Sequence, residues 1–241
     1  MTNSTNPTHV HKAEKEKVRT MFNDIAPKYD FLNHFLSGGI DILWRKKVRR
    51  LLAKSKPSKI LDVASGTGDL AIELCNLNPK QIIGVDIAVE MLDIGREKIK
   101  RKGLDQIIEF QEGDAEDLNF SDNNFDAITV AFGVRNFETL QKGLKEMLRV
   151  LTPGGVVAVL EFSKPKSFPT KQAYNFYSRY ILPGMGKLVS KSSTAYTYLP
   201  DSVRGFAEDK AFLLELEKAG FKNAKQKRLT MGIATLYYAN K

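Results

Sequence analysis

The chain has 241 residues, 42% hydrophobic and 27% charged, with a formal net charge of +9, one cysteine and three histidines. This length and apolar content exclude a disordered chain, the lone Cys75 excludes an internal disulfide, and with only His9, His11 and His34 beside it there is no zinc-ligand spacing. No run approaches the ~20 apolar residues of a membrane-spanning helix, and the polar start MTNSTNPTHVHKAEKEK lacks a signal-peptide core, so a soluble cytoplasmic protein without metal is expected.

Residues 1–9 are polar, without period, and read as a disordered tail. From Val10 to Ile25 the residues Val18, Met21, Phe22 and Ile25 recur at helical spacing, which predicts a helix ending before Pro27. An irregular stretch, 27–43, leads to a basic helix whose apolar face is Trp44, Val48, Leu51 and Leu52, stopped by Pro57. Strand and helix then alternate: KILDVA (59–64), LAIELCNL, QIIGVD (81–86), AVEMLDIGREKIKRKG, IIEFQEGD (107–114), FDAITVAF (125–132), ETLQKGLKEMLRVL and VVAVLEF (156–162). Such alternation implies an α/β domain around a parallel, doubly wound sheet. Residues 163–200 break the pattern with Tyr, Phe, Ser and Lys; a helix over 206–219 and FKNAKQKRLTMGIATLYYA, read as an antiparallel pair, close the chain. The expected organisation is one domain over 10–241, with an N-terminal helical cap (10–54) and a substrate lid (163–200).

The charge is segregated. Residues 44–59 hold eight bases and no acid, residues 164–191 six bases and no acid, and residues 105–126 eight acids and no base. Nucleic acid, an anionic membrane and a phosphorylated substrate all suit such patches, as do plain solvated faces.

Gly66, Gly68 and Ala71 satisfy G-x-G-x-x-A between a strand and a helix, a pattern shared with dinucleotide sites. Asp62, inside the preceding strand, separates the cofactors: a carboxylate there repels a pyrophosphate and welcomes an ammonium. S-adenosylmethionine has an ammonium and no phosphate. Asp86 ends the second strand where a carboxylate accepts ribose hydroxyls. Asp114 and Ala115, after the third, suit an adenine amino group and ring, and Phe132 and Gly133 after the fourth suit methionine and the donor methyl.

DVASGTGD (with Gly66, Thr67 and Gly68), VD at 85–86 and GDA at 113–115 resemble class I S-adenosylmethionine-dependent methyltransferases. YDFLNHFLSGGIDILWR (29–45) and RVLTPGGVVAVLEF (149–162) resemble both signatures of the UbiE/MenG/COQ5 family of quinone-biosynthesis C-methyltransferases, and AFGVRNF and YTYLPDSVRGF are similar to it as well. Ala64 stands where broader methyltransferases carry a glycine, and Ala131 where some members have serine. The resemblance implies a Rossmann-like fold with a seven-stranded, mostly parallel sheet whose final strand is antiparallel, and S-adenosyl-L-methionine as cofactor. It also implies methylation of a ring carbon of a prenylated demethylquinol, a naphthoquinol or a benzoquinol.

That reaction needs a stabilised phenolate, an aligned ring carbon and a proton acceptor, but no covalent nucleophile. Arg135 is the expected positive charge and Asn136 the residue orienting an oxygen or a water. Tyr29 is expected to hydrogen-bond the ring and Asp30, or a water on it, to take the proton. His34 and Cys75 read better as structural residues. The aromatic segment 174–198 and its lysines offer walls for ring and tail and suit an anionic bilayer, so a peripheral membrane contact is expected and nucleic acid is not; a homo-oligomer stays open. A nucleic-acid methyltransferase would need an Asp/Asn-Pro-Pro-aromatic site, where this chain has AFGVRNF. A small-molecule N- or O-methyltransferase and a non-catalytic cofactor-binding protein stay as alternatives.

Overall fold

The structure, a computed structural model, describes residues 7–177, 180, 198, 202–203 and 205–241, with side chains from residue 15 on except 36. Two helices, α1 (Pro7–Ser37) and α2 (Ile40–Leu52), precede the sheet. Then follow β1 (Lys59–Val63), α3 (Asp69–Leu74), β2 (Gln81–Asp86), α4 (Val89–Arg101), β3 (Ile108–Glu112) and β4 (Phe125–Ala131). The chain continues through α5 (Leu140–Val150), β5 (Leu151–Phe162), α6 (Thr170–Phe176), α7 (Lys210–Ala219), β6 (Lys222–Leu229) and β7 (Ala234–Asn240).

The strands form one sheet in the order β3-β2-β1-β4-β5-β7-β6. All neighbours pair in parallel except β7, which is antiparallel to both β5 and β6. Central strands are buried on both faces, hence their near-continuous apolar sequences, while β3 at the edge alternates buried and exposed residues. Along β1 the side chains take turns: Ile60 packs with Trp44, Val48, Leu70 and Leu92 on one face, and Leu61 and Val63 with Leu144, Met147, Phe212 and Leu216 on the other. Each buried Leu, Val or Phe contributes about 1.5–3 kcal/mol. The two cores thereby clamp helices onto both faces.

Several boundaries differ from the sequence reading. The helix predicted to end before Pro27 begins at Pro7, taking in residues 7–9 of the expected tail, and runs through Pro27 to Ser37. A proline inside a helix removes one hydrogen bond and costs about 3 kcal/mol. Here Pro27 is exposed, while buried Ala26 and part-buried Phe22 and Tyr29 pack on Ala88 and Met91 beside α4. Tertiary packing outweighs the local breaker. The supposedly irregular 27–43 stretch is therefore mostly helix, turned by Gly38 and Gly39 at φ +58° and +75°. β5 begins at Leu151, not Val156, because Leu151 pairs with Phe125 before the register shifts. The final helix starts at Lys210, not Phe206. Within the expected lid, α6 is described; Ile181, Leu182, Leu188, Val189 and Tyr196 lie outside the described residues.

Candidate active site

The strand order turns back on itself between β1 and β4, and an open α/β sheet has its ligand crevice at the carboxyl ends of the strands beside such a switch. β1 runs out into Ala64, Ser65, Gly66, Thr67 and Gly68. Gly66 and Gly68 take φ +54° and +80°, and a Cβ on Gly68 would lie 2.3 Å from the Phe110 ring, so the loop folds this way only with glycine there. Ala64 (φ +52°) and Phe132 (φ +58°) are left-handed without being glycine, strain of the kind found around ligand sites. The Ala64 methyl has room because Gly133 faces it: a Cβ on Gly133 would stand 2.4 Å from it.

Asp86 ties this loop to β2. Its Oδ2 accepts the Gly66 N–H at 2.8 Å and its Oδ1 the Ala88 N–H at 2.9 Å; burial raises its pKa. A cavity open to solvent, about 670 Å³ with that open space included, lies here, lined by Gly66, Asp86, Asp114, Ala115, Ala131, Phe132, Gly133 and Asn136. Lys15, Val18, Phe22 and Tyr29 of α1 roof it. Lys15 Nζ sits 2.7 Å from Asp114 Oδ2, while Asp114 Oδ1 accepts the Glu116 N–H at 2.9 Å. The acidic stretch seen in the sequence thus anchors α1.

A smaller cavity of about 360 Å³ shares Tyr29, Ala64, Gly66, Ala131 and Phe132 with the first and adds Arg45, Asp62, Ser65, Thr67 and Asp69. Asp62 is buried, its Oδ1 accepting the Thr129 hydroxyl at 2.6 Å. Its Oδ2 and the Ser65 Oγ have no hydrogen-bond partner among the described residues. Burial without full compensation pushes Asp62 up to about 7. A buried acceptor left unsatisfied is expensive, so this cavity suits a ligand that donates, and best one bearing positive charge.

The structure distributes the expected catalytic residues unevenly. Tyr29 and Asn136 line the large cavity, and Asn136 Oδ1 accepts the Tyr198 hydroxyl at 3.0 Å. Arg135 lies behind that wall. Its Nη1 is 2.7 Å from Glu161 Oε1, it also donates to the Phe132 carbonyl, and its guanidinium lies 5.6 Å from the Phe162 ring centroid. Asp30 lines neither cavity: it accepts from Thr67 Oγ1 and from Lys98 Nζ, the latter at 2.8 Å. Lys98 also bridges Asp69.

His34 Nδ1 is 2.8 Å from Asp41 Oδ2, so the imidazole is held in a structural cluster outside both cavities. His34, Asp41 and Asp69 have potential ligand atoms within 4.8 Å of one another, but Arg45 pairs with both carboxylates and Lys98 with Asp69. Fixed cations take the place a metal would need. Cys75 is half-buried beyond α3, and burial pushes its thiol up.

Sequence reasoning missed Lys15, Arg45, Lys98 and Glu161. Arg45 lies in a basic run and Glu161 inside RVLTPGGVVAVLEF, and neither spacing nor composition reveals which charges turn inward.

Comparison with known proteins adds an independent line. Residues 10–241 match the model of the ubiE/COQ5 methyltransferase family. The demethylmenaquinone methyltransferase of Bacteroides fragilis is 49% identical over 229 residues, 95% of this chain and 94% of that one. The ubiquinone/menaquinone biosynthesis C-methyltransferase UbiE of Geotalea daltonii is 45% identical over 94% of this chain and 97% of its own. A crystal structure of an S-adenosylmethionine-dependent methyltransferase from Thermotoga maritima superposes with TM-score 0.60 at 19% identity, covering 92% of this chain and 99% of that one. At that identity the match speaks for the fold alone.

Proposed function

The chain belongs to the ubiE/COQ5 methyltransferase family, and from that premise we propose how its residues divide the work. It is an S-adenosylmethionine-dependent C-methyltransferase of the demethylmenaquinone methyltransferase type, acting on a prenylated demethylquinol in quinone biosynthesis. The bound cofactor supplies an activated methyl group on a sulfonium. The reading of the site rests on one observation: Asp62 in β1, Asp86 at the end of β2 and Asp114 just after β3 line two adjoining cavities that share Tyr29 as a wall. The residues fit the cofactor, because Asp62 Oδ2 is a buried acceptor with no hydrogen-bond partner among the described residues, and a carboxylate at that place suits an ammonium and repels a pyrophosphate.

In this reading Asp86 accepts the ribose hydroxyls, Asp114 the adenine amino group in exchange for Lys15, and Asp62 the ammonium, while Gly66, Thr67, Gly68, Ala115 and Ala131 shape the walls. Tyr29 and Asn136 hold the ring oxygens so that the carbon beside a hydroxyl lines up with the methyl. Arg135 acts from behind. Burial raises the Tyr29 pKa, and the Arg135 charge pulls it down; a substrate phenolate in the same wall is stabilised by the same field. Asp30, held by Lys98 and Thr67, keeps Tyr29 in place, and the ring proton leaves through water. We favour the naphthoquinol as the ring, following the name of the Bacteroides fragilis relative.

A membrane edge completes the proposal. Among the described residues no helix is long and apolar enough to cross a bilayer. Yet Phe31 and Phe35, stacked at 5.5 Å, are exposed, as are Ile42, Leu43, Phe168 and Phe176, with Lys47, Arg50, Lys166 and Lys171 nearby in the chain. Aromatic and basic side chains together suit an anionic surface from which a prenylated quinol is collected. Vesicle binding that ignores anionic lipid and salt would remove this part. The chemistry itself is tested by whether the cofactor's methyl appears on a ring carbon.

A further inference from the structure

Resting on the cofactor reading above, we propose that Arg45 of α2 binds the carboxylate of the cofactor's amino-acid end, making the smaller cavity a zwitterion site. An α-amino acid carries its ammonium and carboxylate on one carbon. If the ammonium meets Asp62 Oδ2, the carboxylate must lie in the same cavity, since Asp62 lines only the smaller one. Arg45 is the sole Lys or Arg among that cavity's described lining residues.

The guanidinium is unusual for the basic run to which it belongs. Lys47 and Arg50 point to solvent, whereas the Arg45 side chain is 8% exposed. A buried cation needs a fixed setting, and Arg45 has one: it donates to Asp41 Oδ2, and Asp41 is itself held by Ser37 Oγ at 2.6 Å and His34 Nδ1 at 2.8 Å. This positions the fork without exhausting it, because a guanidinium has five N–H donors. Its Nη2 stands 3.4 Å from Asp69 Oδ2, a long contact to a carboxylate whose other oxygen is taken by Lys98. Arginine presents the planar fork that matches a carboxylate. Ser65 Oγ, buried and without a partner among the described residues, adds a polar atom on the same wall.

Three probes isolate the carboxylate by titration calorimetry: S-adenosylhomocysteine, its decarboxylated analogue, and 5′-methylthioadenosine, which lacks the whole amino-acid end. Wild type should bind S-adenosylhomocysteine roughly 10- to 100-fold tighter than the decarboxylated analogue, the worth of a charge-assisted contact. In Arg45→Met that preference should collapse, with 5′-methylthioadenosine bound within about 3-fold of wild type, and Arg45→Lys should recover part of it. Equal weakening of all three probes would overturn the proposal in favour of a structural role, and so would an unchanged preference. If Arg45→Met fails to fold, the wild-type preference and the Arg45→Lys titration decide: no preference, or none lost in the lysine variant, overturns the assignment. Wild type binding none of the probes would overturn it together with the cofactor reading, whereas selective binding without methyl transfer would count against the reaction alone.

Discussion

Arg135 and Glu161 form an ion pair closed off from water at the ends of β4 and β5, with Nη1 2.7 Å from Oε1 and side-chain exposures of 5% and 0%. Glu161 also accepts the Phe162 N–H at 2.8 Å. The pair holds the turn carrying Phe132, Gly133 and Asn136, so one element bears on both stability and chemistry.

Breaking a buried pair strands a charge and costs about 3–5 kcal/mol. Arg135→Ala and Glu161→Gln should each lower Tm by roughly 10 °C, and the double variant Arg135→Met/Glu161→Gln should melt above the Arg135→Ala single, by differential scanning calorimetry. Arg135→Ala should also slow methyl transfer while S-adenosylhomocysteine binding persists. Loss of cofactor binding in that variant would contradict its role on the substrate side.

Asp86→Ala should weaken cofactor binding by roughly 100-fold or more, since it removes a charged acceptor of two hydroxyls and also releases the Gly66 N–H. Asp86→Asn retains one acceptor oxygen for the two backbone N–H groups of Gly66 and Ala88 and should bind between the two. A calorimetric titration in which Asp86→Ala binds as wild type does would remove Asp86 from the site.

Asp62 links pH to stability with a definite sign. Its carboxyl is raised from 3.8 to about 7 by burial, so between those values the folded chain holds a proton that the unfolded chain does not. Stability therefore falls as pH rises through this window and then levels off. Without cofactor, Asp62→Asn should melt higher than wild type at pH 8, by an amount on the order of a few kcal/mol, with the gap closing near pH 4. Conversely, S-adenosylmethionine should bind wild type more tightly as pH rises from 6 to 8, and Asp62→Asn should flatten that dependence.

Gly68→Ala places a Cβ at φ +80° and 2.3 Å from Phe110. The loop must shift, costing roughly 1–3 kcal/mol, and cofactor affinity should drop with Tm. Adding Phe110→Leu should restore part of the stability but not the strained backbone, a difference that paired melting curves resolve.

Much of this arrangement is legible in the chain itself, for a physical reason. Strands buried on both faces must be apolar throughout, and a loop that turns between β1 and α3 needs glycine at Gly66 and Gly68, so the sheet and its crevice leave local marks. Pro27 misleads because its local penalty is offset by Ala26, Phe22 and Tyr29 packing on partners more than fifty residues away in sequence. Arg135, Asp30 and Arg45 teach a related lesson. Their neighbours Glu161, Lys98 and Asp41 come from other turns or elements, and whether a charge faces ligand or protein depends on those neighbours.

The central claim is methyl transfer from sulfonium to carbon, and the most direct measurement supplies labelled S-adenosylmethionine with a demethylated naphthoquinol bearing a short prenyl tail, then locates the label by NMR. The account predicts one labelled methyl on the ring carbon beside a hydroxyl. Label on oxygen, or no label despite tight cofactor binding, would contradict it.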